Sequence, residues 1–198
     1  MKTITRSNLM KHLGTVALML SLGVATVYAQ QPVKMTFSGT SGASAIDLKY
    51  QPSAATGEDN FAGNGTLGQF TFRNIFAEGT QPQQPPSTCS GPAQGYFVRV
   101  AGAGVLRFQD GSLLKVNMTQ GEDCVDFAAQ QGHCTVTFQI TGGTGRFKDA
   151  SGVLTLTETV LPVLPNASGL PVFFASTGEL TGTVSGVAAE EEHQDDRR

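Results

Sequence analysis

The sequence predicts an all-β domain, a closed antiparallel β-barrel of about eight strands, with a β-sandwich as the alternative. Three observations carry this. Apolar and polar residues alternate along most of the chain after residue 30, and a helical period hardly appears. β-branched and aromatic residues populate the alternating runs. Glycine, 24 of 198 residues, cuts those runs into short segments with turn chemistry between them.

The first element is a targeting segment. Lys2, Arg6 and Lys11 precede an uncharged apolar run from Leu13 to Ala25, and Val27-Tyr28-Ala29 places small residues where signal peptidase requires them. That run is shorter than the roughly 20 residues of a membrane span. A signal peptide over 1–29 is therefore expected, with no membrane span and a secreted or periplasmic product beginning at Gln30. A single barrel domain follows over 30–187, and a charged, disordered tail over 188–198.

Within the domain, strands are expected at "VKMTFSG", "AIDLKY", "TLGQFTFRNIF", "GYFVRVAG", "GVLRFQD", "SLLKVNMTQ", "CTVTFQITG", "GVLTLTETV" and "GELTGTVSG". Asp110-Gly111 is a hairpin signal, and Gly121 and Gly132 are expected to mark further bends. Glu78–Gly95, rich in proline and glutamine, reads as a long surface loop; Leu161–Pro171 reads as a second irregular connection. Alternation places Phe70, Phe72, Phe76, Leu106, Phe108, Leu114, Val116, Met118, Val136, Phe138, Ile140, Leu154, Leu156 and Val160 on the apolar face. Asn74 and Glu158 are the polar residues that interrupt it.

Charge narrows the partners. Three of the 13 basic residues lie in the first 29 positions and all 16 acidic residues lie beyond them, so the remainder carries a net charge of −6. Nothing is basic enough to follow a phosphate backbone, which argues against nucleic acid. The three cysteines are Cys89, Cys124 and Cys134. Cys124 and Cys134 flank a short polar segment and are expected to form a disulfide across a hairpin, although Cys89 can bridge to either. Cys124, His133 and Cys134 do not have zinc spacing, so no metal is expected.

The motif Gly142-Gly143-Thr144-Gly145 has the look of a dinucleotide fingerprint. Such a fingerprint needs a helix to receive the pyrophosphate, whereas "RFKDASG" is too short for one and a period-2 strand follows. The glycines instead suit a tight chain reversal, with Phe147 returning as a plug and Asp149 and Gly152 forming a second bend. "GGTGRF" with "DASG" soon after it resembles the strand-connecting corner of allene oxide cyclase-like and dirigent-like barrels. The resemblance spans some 20 residues and implies an eight-stranded antiparallel barrel with a largely apolar cavity. It implies either cyclisation of a fatty-acid epoxide or steering of phenolic radical coupling, in both cases without a cofactor. Gly142, Gly143, Gly145 and Phe147 are architectural in this reading.

The site candidates follow from alternation. A carboxylate in a dry cavity acts as a general acid or base, which makes Glu158 the catalytic candidate. Its place near a strand end favours a solvated position at the rim. Phe70, Phe72, Asn74, Tyr96, Phe138 and Glu158 are the candidate ligand-binding residues. Arg99 is expected to face outward, as arginine usually does, and His133 to lie in a loop. The leading functional reading is a hydrophobic small molecule held in the barrel. A cofactor-independent cyclase or isomerase is the second. A module whose interior is filled by its own side chains is the third.

Overall fold

A computed structural model describes residues 29–44, 53–89 and 92–188. The expected signal peptide (Ala29 apart), the expected tail (Ala188 apart) and the expected strand "AIDLKY" lie outside the described residues.

Eight strands follow in chain order: β1 (Gln31–Ala43), β2 (Ala54–Gly65), β3 (Phe70–Gly79), β4 (Gly95–Phe108), β5 (Leu113–Asp126), β6 (Gln131–Thr144), β7 (Ser151–Pro165) and β8 (Pro171–Ser185). Each pairs antiparallel with the next, and β8 returns to β1 from Gln31↔Val184 to Gly42↔Phe173, closing the barrel. Closure removes the open sheet edges that would otherwise invite aggregation.

The strand that the sequence concealed is β2. Its composition, "AATGEDNFAGNG", is poor in β-formers, yet it pairs along its length with β1 and β3. Its glycines have a packing reason: a Cβ on Gly57 would strike the Phe76 ring. Gly104 on β4 does the same for Phe72, whose ring would lie 2.5 Å from an added Cβ. Small residues thus face large ones across the interior, which is how a small barrel fills its section.

Three expected breaks are not breaks. "GYFVRVAG" and "GVLRFQD" form one strand, β4, and Gly121 and Gly132 lie inside β5 and β6. Leu161–Pro171 is an irregular connection only over 166–170, since β7 runs to Pro165 and β8 starts at Pro171. Pairing with β6 ends at Val160, so the outer part of β7 is held by β8 alone. Pro162 and Pro165 lack an N–H there and blunt the free edge. The long connection between β3 and β4 is a loop as expected, touching the barrel through the bridge Gln83↔Tyr96.

The glycine corner is a β-barrel corner. One 3₁₀ turn, Gly145–Phe147, is all the helix it contains. Gly142 and Gly145 have φ of +107° and +58°, conformations that side-chain-bearing residues avoid. Phe147 is fully buried and its ring lies 4.6 Å from that of Phe108, stoppering this end of the barrel.

Above the stopper the interior is packed solid. Val33, Met35, Phe70, Phe72, Leu106, Leu114, Val116, Val136, Phe138, Leu154, Leu156, Leu180 and Val184 form one buried cluster. Phe72 meets Phe138 edge-on with centroids 5.8 Å apart.

Candidate functional site

One residue-pair above this core the interior turns polar. Asp59, Asn74, Cys134 and Glu158 each sit two positions along the strand from a core residue, respectively Phe61, Phe72, Val136 and Leu156. Every strand contributes to this level: Ser41 from β1, Asp59 from β2, Asn74 and Glu78 from β3, Arg99 from β4, Asp123 from β5, Cys134 from β6, Glu158 from β7 and Ser176 from β8. All are buried except Glu78, which is half-buried. The result is a polar ring lining one end of the barrel.

Arg99 organises the ring. Its Nε donates to Asp123 Oδ2 at 2.8 Å and its Nη1 to Asp59 Oδ2 at 3.3 Å, while Nη2 stands 4.0 Å from Glu158. The guanidinium carbon lies 3.9 Å above the Phe76 ring, which adds a cation–π contact. Burial works against its charge, but Asp123 and Asp59 hold it firmly protonated. Gly121 makes room for it, because a Cβ there would lie 2.8 Å from that of Arg99.

Asp59 is the best-solvated carboxylate of the set, with protein groups standing in for water. It accepts hydrogen bonds from Ser41 Oγ at 2.7 Å and Asn74 Nδ2 at 2.8 Å, besides the one from Arg99. Burial disfavours the charge of Asp123, but Arg99 outweighs it and keeps that carboxyl below its usual range. Glu78 is the counterpart: burial, and then its contact with Asp123, push it well above the carboxylate range. The opposite shifts make Asp123 the charged and Glu78 the protonated member of the pair.

Glu158 differs from all of these. Burial first, and the charge of Asp59 next, raise its pKa to about 8. It is therefore a neutral carboxylic acid at neutral pH; Arg99 and the Ser176 hydroxyl beside it favour its charge, but neither oxygen makes a well-formed hydrogen bond. Asn74 Oδ1, Asp123 Oδ1 and Ser176 Oγ are buried and unpartnered as well. Cys134 completes the ring as a thiol whose pKa is pushed up by burial and by Asp123.

The expectations of the sequence sort cleanly against this geometry. Asn74 and Glu158 do come together in the ring, but Glu158 is buried at 3 % exposure rather than solvated at the rim. Phe70, Phe72 and Phe138 belong to the packed core, so their faces are occupied by neighbouring side chains. Tyr96 stands apart, half-buried, its hydroxyl donating to Glu122 at 3.0 Å. Arg99 faces inward, not outward, because the register slips at Val100: Ala77 pairs with Ala101 but Glu78 with Arg99. A second bulge at Thr119 turns Asp123 inward. His133 lies on β6 rather than in a loop, within 3.0 Å of Gln131 Nε2.

The disulfide also differs. Cys89 and Cys124 are bonded, and Cys134 is a buried free thiol. Across β5 and β6, Cys124 is opposite His133 and Cys134 opposite Asp123. That offset of one residue puts the two sulfurs on opposite faces of the wall, so they cannot meet. The bond instead pins the 80–94 loop to the outer face of β5.

Two depressions of about 570 and 520 Å³ lie on the outer wall, lined by residues such as Asn60, Thr71, Arg73 and Arg107. No residue of the ring lines either of them. Among the described residues no His, Cys, Asp and Glu group is arranged to hold a metal ion, and no helix is long and apolar enough to cross a membrane. Fold and site together define a closed eight-stranded antiparallel barrel with a buried, carboxyl-rich polar end. No protein-family model matches the chain, and no curated protein matches it.

Proposed function

We propose that this is an exported small-molecule-binding β-barrel whose site is the polar end of the interior. The observation that carries the proposal is the set of unpartnered buried polar atoms in the ring: both oxygens of Glu158, Asn74 Oδ1, Asp123 Oδ1 and Ser176 Oγ. Buried polar groups are nearly always hydrogen-bonded, and each left alone costs about 1–3 kcal/mol. A ligand placed among them removes that cost. The ligand is hydrophobic over most of its surface, with Phe76, Met118 and Val160 at the same end to receive it, and it offers a hydrogen-bond donor to the ring. A fatty-acid carboxylate fits poorly, because it would enter beside four carboxyl groups.

The packed core supports placing the ligand at this end rather than along the whole axis. The test is thermal stabilisation and direct binding of three small aromatic probes: 4-ethylphenol, 2-phenylethylamine and 3-phenylpropionate. The two donors should bind and the carboxylate should not. Failure of all three would favour the barrel filled by its own side chains.

A second reading is favoured by the neutral state of Glu158. An acid with a pKa of about 8 is matched to proton transfer near neutral pH. A cofactor-independent isomerase or cyclase would use Glu158 on a ligand in this site. If Glu158→Gln leaves turnover of a cyclisable ligand unchanged, that role is gone. The corner "GGTGRF" and the eight-stranded closure support extending the proposal to kinship with allene oxide cyclase-like and dirigent-like barrels. Export is supported by the N-terminal segment and the Cys89–Cys124 bond; mass spectrometry of the exported protein should find Gln30 first.

A further inference from the structure

The composition of the ring narrows the ligand further. Four carboxyl groups, Asp59, Glu78, Asp123 and Glu158, face a single guanidinium, Arg99. The remaining titratable neighbour, Cys134 on β6, is a neutral thiol; β1 and β8 supply only Ser41 and Ser176. Arg99 is already committed to Asp59, Asp123 and the Phe76 ring. In a buried site such an excess of acid is balanced either by protons or by an incoming cation. The atoms left open include carbonyl, carboxyl and hydroxyl oxygens, which accept hydrogen bonds.

We propose that the polar ring is an exchange site for a primary ammonium group: an entering R–NH3+ takes the place of the proton on Glu158, and that proton leaves to solvent. The charge balances, since one cation enters as one leaves. The three N–H donors of the ammonium match Glu158, Asn74 Oδ1 and Ser176 Oγ, three of the ring's open acceptor groups, which also include Asp123 Oδ1. Glu158 is the group that gives up its proton because Glu78 stands against the charged Asp123, which holds the Glu78 proton in place, whereas neither oxygen of Glu158 makes a well-formed hydrogen bond. This inference rests on the polar end being the ligand site.

Linkage sets the expected signal. While Glu158 is protonated in the free protein, each ammonium bound releases about one proton, and affinity rises about tenfold per pH unit. Because that carboxyl titrates at about 8, the dependence should flatten above this pH. Isothermal titration of the full-length protein with 2-phenylethylamine, in phosphate and in MOPS buffer at pH 6, 7 and 8.5, reads the proton count directly. 4-Ethylphenol serves as the neutral control.

The expected result is close to one proton released at pH 6 and 7, about a quarter of one at pH 8.5, and about tenfold tighter binding at pH 7 than at pH 6. Glu158→Gln should abolish both the release and the pH slope and weaken the amine at least about tenfold, as expected for losing a buried charge partner. Should that variant fail to fold, the proton count on the unaltered protein still decides. Binding of 4-ethylphenol with no uptake of the amine would overturn the exchange and leave the binding site standing. Amine binding without proton release overturns it too. No binding of either probe would remove the site and the exchange together.

Discussion

Replacing Arg99 by methionine keeps the volume of the side-chain stem and removes the guanidinium. Asp123, whose bond to it is 2.8 Å, and Asp59, at 3.3 Å, then lose the charge that faces them inside the barrel. Breaking a buried ion pair from one side costs about 3–5 kcal/mol, because the partner stays buried without compensation. For a domain of this size each kcal/mol moves the melting temperature by about 2–4 °C, so Arg99→Met should melt about 6–20 °C lower at pH 7. The pH dependence has a definite sign. Arg99 holds Asp123 below its usual range, so its stabilisation is present above the unfolded carboxylate pKa and is lost as pH falls through the depressed one. The gap between the two proteins should therefore be widest near neutrality and shrink toward pH 3. Urea unfolding followed by circular dichroism across this range measures it. A loss under about 1 kcal/mol, the size of a solvated surface pair, or a gap indifferent to pH would mean that water reaches the ring and that the desolvation argument is wrong.

Glu158 should show the opposite slope: its pKa is raised to about 8, so the stability it contributes is present below its unfolded value and is lost as pH rises toward 8. Glu158→Gln should remove that slope in the same unfolding series. Reducing the Cys89–Cys124 bond, which spans 35 residues of sequence, should cost up to about 4 kcal/mol by loop entropy and open the 80–94 loop to protease first. Cys134 should ignore thiol reagents in the folded protein and react once urea unfolds it, because its thiol is buried and its pKa raised. Gly104→Ala should destabilise by about 1–3 kcal/mol through overlap with the Phe72 ring, read from the same denaturant midpoint.

Most of the barrel is written in period-2 alternation, and Phe72, Phe138, Leu154 and Leu156 all face inward as that pattern requires. The corner was legible too, since three glycines followed by Phe147 have few other uses. What alternation could not carry was β2, whose Gly57, Asp59, Asn60 and Gly63 disfavour a strand in isolation. Those residues belong there for tertiary reasons: Asp59 serves the ring, and Gly57 clears the Phe76 ring. Arg99 and Asp123 were hidden for a different reason. Counting by twos from Leu106 sends Arg99 outward, and counting from Leu114 through Met118 sends Asp123 outward. The bulges at Val100 and Thr119 reverse both. A bulge is a property of two paired strands, and no single segment announces it. Glu158 and Asn74 were legible as polar residues on an apolar face, but their partners were not. The half of the disulfide contributed by Cys89 was obscured by the length of its loop.

The most direct test of the account is a crystal of the full-length protein soaked with 2-phenylethylamine. The amine nitrogen should be found against Glu158, Asn74 and Ser176, with Phe72, Phe138 and Leu156 unmoved beneath it. Density on the outer wall near Arg73 and Arg107, or a molecule that displaces the aromatic core while the ring stays empty, would contradict the assignment of the polar end as the site.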